Sequence, residues 1–596
     1  MLREPRNKFV QRYGFLAPYI KKYAKPFLLA ISCLTTEVIC DLMQPTIVSK
    51  IIDQGVAAKD TATVMRYGGL MLLIAGFGAL AAIGRNAISS KVSQNFGSDL
   101  RADLYRRILA LEFSSLDRLD TASLVTRLTN DVTQVQNLFN GLMRIFVRAP
   151  LLALGGIIMA TILNARLSLI LVVVVPAVAY LISLSLRTSF PFFKRIQESL
   201  DRVNGVMREY LSGLRVVKAF NRSEREEERF AQANDNLSGF TTRAMGIMAI
   251  FSPLTALALS LGIAAALWFG GYGVHGGTIK VGEVVAYVNY MTQILFALMM
   301  LSHIFTMFVR ARTSAERIGE VLAIPTQNAG TAAPTAEASR TGGGRAPGWS
   351  IDYRSVSLRY EEAASPALRD ISFACPAGSM MGIIGSTGSG KTSLVRLMPR
   401  FYRATEGAVL IGGRDIAEWD LRALRDGIAL VPQKSILFTG TIEENLRWGK
   451  ADAEIEELDR ATEAAAAGEF IATLPKGYGT QIGRGGLTLS GGQRQRLAIA
   501  RALVRRPSVL ILDDSLSAVD GVTENLIRTG LRRACPGATI VIIAQRIASV
   551  RDLDAILVLD EGAVVGLGTH EELLASCPVY QDIRRSQVGI EEATHG

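Results

Sequence analysis

Hydrophobic residues are concentrated in the first 310 residues of this 596-residue chain, in long runs that carry very few charges. A membrane-spanning helix needs about 20 mostly apolar residues, and six stretches satisfy that condition. They lie near residues 26–50, 67–90, 142–164, 167–187, 247–271 and 283–308. The pattern predicts an α-helical transmembrane domain with six spans, and an even number of spans returns the chain to the side from which it started.

The polar stretches after the second and fourth runs are much longer than ordinary loops. No proline interrupts residues 68–113, and about 45 helical residues would extend roughly 70 Å, well beyond a hydrocarbon core of about 30 Å. Residues 192–230 also place their charges at helical spacing, as on a solvated helix face. We therefore expect helices that project tens of ångströms into the cytoplasm.

The last 270 residues have a different pattern. Residues 325–348 are rich in Ala, Thr, Gly and Pro, which is typical of a flexible linker. From Trp349 onwards, strand-like and helix-like segments alternate, which predicts an α/β domain. The sequence thus predicts a transmembrane domain at 1–324, a linker at 325–348 and an α/β domain at 349–596.

The net charge of +11 is unevenly divided between these parts. Residues 1–325 hold 35 Lys and Arg against 22 Asp and Glu, whereas residues 326–596 hold 30 against 32. A basic excess confined to the hydrophobic half is typical of the cytoplasmic face of a membrane protein. It argues against nucleic acid as a partner, because no basic patch lies on the soluble part. The five cysteines show no metal-binding spacing.

A glycine-rich loop follows an apolar strand at residues 380–384. Its pattern GxxxxGK[ST] lets backbone N–H groups approach phosphates, lets a lysine reach the β- and γ-phosphates and offers a hydroxyl to Mg²⁺. The expected nucleotide-binding residues are Gly385, Ser386, Thr387, Gly388, Ser389, Gly390, Lys391, Thr392 and Ser393. A second apolar strand ends at Asp513, a carboxylate suited to a position beside nucleotide-bound Mg²⁺.

A second glycine-rich segment, Ser490, Gly491, Gly492 and Gln493 after Leu489, opens a helical pattern and predicts another anion site. This pentapeptide resembles the signature of ATP-binding-cassette (ABC) ATPases. The resemblance implies ATP and Mg²⁺ as cofactors, with Mg²⁺ held by Thr392, Gln433 and Asp513. It also implies that Tyr360 stacks on adenine and that residues 517–520 form the D-loop.

The resemblance extends over the whole chain, because residues 124–131 and 212–221 are similar to cytoplasmic loops of ABC exporter half-transporters. In that family short coupling helices, here near 114–121 and 211–217, would rest on the nucleotide-binding domains. Residues 480–486 are similar to the loop that precedes the signature in exporters. Six spans and one ATPase domain form half of a transporter, so we expect a dimer in a bacterial cytoplasmic membrane, surrounded by lipid.

Two positions depart from the family pattern. The family places the glutamate that polarises the attacking water where this chain has Asp514, and a histidine where it has Gln545. The shorter carboxylate lies further from the productive position, and glutamine cannot become a cation. With Gln433, these residues form the expected catalytic set. They resemble the degenerate-site subunit of heterodimeric multidrug exporters, whose partner supplies the missing groups and uses this chain's signature.

Two alternatives stay open at this level: a homodimeric exporter with weak ATPase activity, and a nucleotide-gated channel or regulator. The expected substrate is amphipathic, such as a drug, a lipid or a peptide. Polar residues in the first and sixth spans either line a cavity for polar or cationic amphipathic substrates or bond between helices. These are Glu37, Asp41, Gln44, Asn289, Gln293 and His303, and the large side chains of Phe296, Met299, Met300, Phe305 and Met307 either line such a pocket or pack between helices.

Overall fold

A computed structural model describes residues 13–325, 348–361, 363–486 and 488–594 and divides the chain into two compact units. The first unit contains the chain up to Leu109 and Thr121–Ile324, and the second contains Ala110–Asp120 and the chain from Pro325 onwards. Most of the predicted linker, residues 326–347, lies outside the described residues. The linker and the domain boundaries therefore stay predictions.

Within the described part of the first unit, six helices are long and apolar enough to cross a membrane. The second of them has 49 residues, which corresponds to about 74 Å of helix and agrees with the projection expected beyond the bilayer. These helices confirm the predicted fold class and an integral, multi-pass membrane protein. They are α1 (Gly14–Val56), α2 (Thr61–Leu109), α4 (Thr121–Leu163), α5 (Leu169–Ala219), α6 (Ser223–His275) and α7 (Val281–Ala323).

The two predicted short cytoplasmic helices have different outcomes. A separate helix, α3 (Phe113–Arg118), lies where one was expected near 114–121. The other expectation is wrong, because residues 211–217 continue α5 without a break as far as Ala219. The chain turns only at Asn221, whose φ of +50° is the left-handed conformation that commonly ends a helix.

Two sheets and their covering helices form the α/β part of the second unit. Strands β9 and β10 are buried along their whole length, as expected for parallel strands covered on both faces. The six-stranded sheet has the order β12-β11-β3-β10-β9-β6, and a four-stranded sheet has the order β2-β1-β4-β5. The strands are β1 (Ile351–Leu358), β2 (Leu368–Cys375), β3 (Met380–Gly385), β4 (Glu406–Ile411), β5 (Arg414–Asp415), β6 (Ile428–Val431), β7 (Gly440–Thr441), β8 (Gln481–Ile482), β9 (Val509–Asp513), β10 (Thr539–Ile543), β11 (Ala555–Asp560) and β12 (Ala563–Gly568).

The topology brings the candidate chemistry to one edge of the larger sheet. Strands β3, β10 and β9 are parallel neighbours, so their carboxyl ends meet at the same edge, where ligands bind in such sheets. The helices of this unit are α8 (Lys391–Leu397), α9 (Leu421–Gly427), α10 (Ile442–Arg447), α11 (Ile455–Ala464), α12 (Gly468–Thr473), α13 (Gly491–Val504), α14 (Gly521–Ala534), α15 (His570–Ser576) and α16 (Pro578–Thr594).

Candidate functional site

The glycine-rich loop between β3 and α8 has the geometry of a phosphate cradle. Gly388 and Gly390 adopt φ of +87° and +96°, conformations that favour glycine. A Cβ atom at Gly385 would lie 2.1 Å from the carbonyl oxygen of Leu559, so the close approach of the backbones excludes a side chain there. The Lys391 ammonium donates to the carbonyl oxygens of Gly385 and Ser386 at 2.8 and 2.6 Å, and this keeps the loop curled.

Two of the three residues expected to hold Mg²⁺, Thr392 and Asp513, lie beside this loop, whereas the side-chain amide of Gln433 donates to Asp514. The Thr392 hydroxyl donates to Oδ1 of Asp513 at 3.1 Å, so two oxygen atoms of the kind that Mg²⁺ prefers are adjacent. Burial raises the pKa of the Asp513 carboxyl. Burial also lowers the pKa of Lys391, and the negative charges of Asp514 and Asp513 oppose part of that decrease. The oxygen atoms of Thr392 and Asp513 therefore fit Mg²⁺, and the glycine-rich loop fits the phosphates of a nucleotide. We propose these roles for them.

The three residues of the expected catalytic set form one hydrogen-bonded triad. Asp514 is buried, and its Oδ2 accepts from the side-chain amides of Gln433 at 3.0 Å and Gln545 at 2.8 Å. Asp514 adopts φ of +49°, an unusual conformation for a residue with a side chain. Both amides therefore converge on one carboxylate oxygen at the edge of the sheet.

Residues that the sequence analysis did not identify support this triad. Gln587 on α16 donates to the carbonyl oxygen of Gln545 at 2.7 Å and accepts from the N–H of Ile547 at 2.9 Å. The Ser517 hydroxyl donates to the carbonyl oxygen of Asp514 at 2.8 Å. Gln587 lies 42 residues from Gln545 in a helix of ordinary polar composition, so no local pattern marked it.

The signature segment is a well-formed helix N-terminus. Ser490 caps α13: its hydroxyl accepts from the N–H of Gln493, and the Gln493 side chain accepts from the N–H of Ser490 at 2.9 Å. The side-chain oxygen of Gln495 accepts from the N–H of Ala518 at 3.1 Å, which ties the expected D-loop to the same helix. Ser490 is exposed, and in the described part of the chain no hydrogen bond joins it to the phosphate loop.

The short helix α3 packs against the ATPase part of its own unit. The ring of Phe113 lies 4.4 Å from that of Phe401, measured between centroids. Glu112 pairs with Arg403 at 3.1 Å, and the Tyr402 hydroxyl donates to Asp117 at 2.5 Å. This arrangement is what the resemblance implies for a coupling helix.

The two acidic residues of the first span are paired with arginines from other helices. Glu37 on α1 lies 2.8 Å from Arg85 on α2 and 2.9 Å from Arg148 on α4, and Arg148 also lies 3.0 Å from Asp41. The Glu37 and Arg85 side chains are 8% and 6% exposed, whereas Asp41 and Arg148 are about one-third exposed. These contacts favour the interhelical alternative over a free cation site.

The other polar residues of the spans give a mixed result. Asn289 is exposed and donates to the carbonyl oxygen of Val285 at 3.0 Å, one turn earlier on α7. The side-chain oxygen of Gln293 is buried without a hydrogen-bond partner among the described residues. Phe296 and Met299 are exposed. The side chains of His303 and Phe305 lie outside the described residues.

Comparisons with known proteins agree with this geometry. Residues 27–298 match the family described as the ABC transporter transmembrane region, and residues 368–517 match the family described as ABC transporter. The chain is 38% identical over 577 residues, 96% of its length and 98% of the relative, to an uncharacterized ABC transporter ATP-binding protein of Mycobacterium tuberculosis. It is 32% identical to an ATP-dependent lipid A-core flippase of Chromohalobacter salexigens, over 96% of this chain and 98% of that one.

A solved structure has a similar fold. The structure of a bacterial Atm1-family ABC exporter with ATP bound superposes with a TM-score of 0.77 at 26% sequence identity. The match covers 95% of this chain and 98% of the other.

Proposed function

This chain belongs to the ABC exporter family, whose members couple ATP hydrolysis to transport and work as dimers, and we propose that it is one half of a heterodimer. In this proposal its own phosphate loop binds ATP and hydrolyses it slowly. Its signature completes the faster site, which the partner provides. The complex exports amphipathic compounds.

The Asp514 triad is the observation that carries this proposal. A general base must hold a water molecule beside the γ-phosphate, and the effect of a misplacement of 1 Å can reach a hundredfold in rate. Asp514 is one methylene shorter than the family's glutamate, and its Oδ2 already accepts two amide hydrogens. Gln545 offers an amide where the family has a histidine, so it cannot supply a positive charge.

The signature supports the other half of the proposal. Ser490, Gly491 and Gly492 match the family pattern and open a helix of 14 residues, whose N-terminal N–H groups favour an anion. Ser490 is exposed, as a residue must be to meet a nucleotide held by a second chain. The chain thus carries one altered half-site and one intact half-site.

The cytoplasmic turn between α5 and α6 supports a dimer. Leu211, Val216 and Phe220 are 63%, 59% and 74% exposed. Apolar side chains at this density on a polar helix end mark an interaction surface. We assign the ATPase domain of the partner as the surface that covers them, although the long helix continues to Ala219 and forms no separate coupling helix here.

The similarity to a lipid A-core flippase supports an amphipathic substrate. The carboxylates of Glu37 and Asp41 are neutralised by Arg85 and Arg148, so they give no support to a preference for cations. We therefore propose drugs, lipids or peptides without a required positive charge.

Vanadate trapping tests the heterodimer. The complex, purified with its partner half-transporter, is incubated with Mg²⁺, vanadate and a photoreactive ATP analogue, and the labelled chain is identified. Vanadate stabilises nucleotide only where hydrolysis has occurred, so we expect the trapped label on the partner. Trapped diphosphate on this chain at an equal level would contradict the slow site.

The assignment of Glu37 as a structural residue has its own test. Glu37→Gln leaves Arg85 buried beside a neutral group, and breaking a buried ion pair costs about 3–5 kcal/mol. We expect a lower melting temperature and an unchanged order of substrates in stimulated ATPase activity. Asp41→Asn is the matched control, because its more exposed pair contributes less. A changed substrate order with unchanged melting would restore the cavity interpretation.

A further inference from the structure

Tyr402 lies between the coupling helix α3 and the expected adenine platform, and it contacts both. Its hydroxyl donates to Oδ2 of Asp117 at 2.5 Å. Its ring meets that of Tyr360 edge to face, with centroids 5.1 Å apart and planes at 87°. Tyr402 is only 7% exposed, so its ring has little freedom to move away from either neighbour.

Tyr360 is in turn attached to the phosphate loop. Its hydroxyl donates to the Ser393 hydroxyl oxygen at 2.9 Å, and Ser393 directly follows the expected Mg²⁺ ligand Thr392. The next residue, Glu361, forms an ion pair with Arg118 of α3. The segment that holds the platform therefore has two connections to α3, one through Tyr402 and one through Glu361.

The position of α3 depends on such contacts. The helix has six residues, and a helix of that length is unstable by itself, because so few hydrogen bonds do not offset the cost of starting it. Its N-terminal Phe113 packs on Phe401, the residue before Tyr402. A movement of residues 401 and 402 would therefore displace both ends of α3.

We propose that Tyr402 is a positioning residue that links occupation of the adenine site to the position of the coupling helix. Stacking of a purine on Tyr360 fixes that ring, and the edge of Tyr402 follows it because the two rings are in contact. The hydroxyl of Tyr402 then transmits the change to Asp117. The link is reciprocal. If bound nucleotide favours one position of α3 by a certain factor, that position of α3 raises the affinity for nucleotide by the same factor. The proposal rests on the adenine contact assigned above to Tyr360, and it does not depend on the heterodimer.

Proton loss does not interrupt this connection at ordinary pH. Burial, together with the Asp117 carboxylate, raises the pKa of the Tyr402 hydroxyl. The group therefore stays protonated and continues to donate.

The first test is hydrogen exchange of residues 112–119 in the full chain reconstituted in nanodiscs, with and without a non-hydrolysable ATP analogue. In the wild type we expect the analogue to change the exchange rate of these amides about fivefold, the lower end of typical coupling between sites. Tyr402→Phe keeps the ring against Tyr360 and removes the bond to Asp117, so we expect the change to fall below about twofold, with the remainder transmitted through the pair of Glu361 and Arg118.

Tyr353→Phe is the matched control. It also removes a buried tyrosine hydroxyl, which donates to the carbonyl oxygen of Leu394 on α8 at 2.8 Å, but it touches neither α3 nor Tyr360. We expect its exchange response to equal that of the wild type. If Tyr402→Phe also responds like the wild type, or if the wild type shows no response in α3, the proposal is overturned.

Three further variants keep the test decisive. Asp117→Ala removes the acceptor from the other side of the bond and substitutes for Tyr402→Phe if that variant does not fold. Tyr402→Leu removes the ring support as well, and we expect it to weaken binding of a fluorescent ATP analogue about threefold or more, whereas Tyr402→Phe weakens it less. Tyr360→Leu separates the adenine contact from the link. If this variant binds the fluorescent analogue as well as the wild type does, the adenine contact is refuted. If it binds the analogue more weakly, but Tyr402→Phe shows the same hydrogen-exchange response in α3 as the wild type, only the link is refuted.

Discussion

The phosphate-loop side and the signature side of the ATPase domain differ in how they satisfy their polar groups. On the phosphate-loop side, Asp514 is buried and its carboxylate is engaged by Gln433 and Gln545. On the signature side, Ser490 satisfies its hydroxyl through a capping box and stays exposed at the start of α13. The Asp514 carboxylate is thus bonded within this chain, whereas the signature places an exposed serine at the N-terminus of a helix.

This difference indicates that the two sides have different tasks. Every residue of the signature matches the family pattern, and the departures concern the two groups that would activate water and contact the γ-phosphate. A chain that had lost all function would not be expected to keep one side intact. If each nucleotide lies between a phosphate loop and the opposite signature, two unequal ATP sites require a different partner chain that keeps the glutamate and the histidine.

Damage to the intact side should have the largest effect on turnover. Ser490→Arg places a bulky cation at the N-terminus of α13, where the nucleotide of the partner is expected. We predict a loss of ATPase turnover of about 100-fold in the assembled complex, as for removal of a key group that stabilises the transition state. Steady-state hydrolysis with saturating ATP measures it.

Thr569→Arg is the matched control for this prediction. Thr569 caps α15 with the same kind of capping box, in the same domain and outside both ATP sites. We expect a similar loss of stability and nearly full turnover. Equal losses of turnover in the two variants would mean that Ser490 is needed only for folding.

Damage to the altered side should have a smaller effect on turnover. Lys391→Ala removes the ammonium group that we expect to reach the phosphates, so we expect this chain to bind nucleotide weakly. Because the proposal places the faster site on the partner, we predict that turnover of the complex falls by less than about tenfold. Binding of a photoreactive ATP analogue to this chain measures the lost affinity. Abolished turnover here, together with intact turnover in Ser490→Arg, would reverse our assignment of the two sites.

The smallest effect concerns the support of the triad from α16. Gln587→Leu removes two hydrogen bonds to residues 545 and 547, each worth about 1 kcal/mol. We predict a lower melting temperature and a change in turnover of no more than about twofold. Gln581→Leu, on the same helix, removes a hydrogen bond to Leu574 and serves as control. A large loss of turnover in Gln587→Leu alone would show that Gln545 takes part in the faster site.

Local sequence patterns predicted the elements that depend on local chemistry. The glycines of the phosphate loop and the capping serine of the signature are required by backbone geometry, so both sites could be located before the fold was known. The long helices followed in the same way from uninterrupted helical patterns.

Pairings between distant residues could not be predicted in this way. Glu37 was recognisable as an unusual residue in a span, but its partners Arg85 and Arg148 lie 48 and 111 positions away, and only packing of three helices brings them together. The support from Gln587 and the position of Tyr402 have the same origin. The separate helix expected near 211–217 is absent because nothing before Asn221 interrupts α5.

The account can be tested most directly by ATP hydrolysis of the purified chain without any partner, comparing the wild type with Asp514→Glu combined with Gln545→His. A dimer of identical chains would contain two altered sites, so we predict negligible turnover for the wild type. The double variant restores the missing base and histidine, and we predict at least a tenfold increase, since a positioned general base alone contributes about 100-fold or more. Robust hydrolysis by the wild-type chain alone, unchanged in the double variant, would contradict the slow site and the heterodimer together.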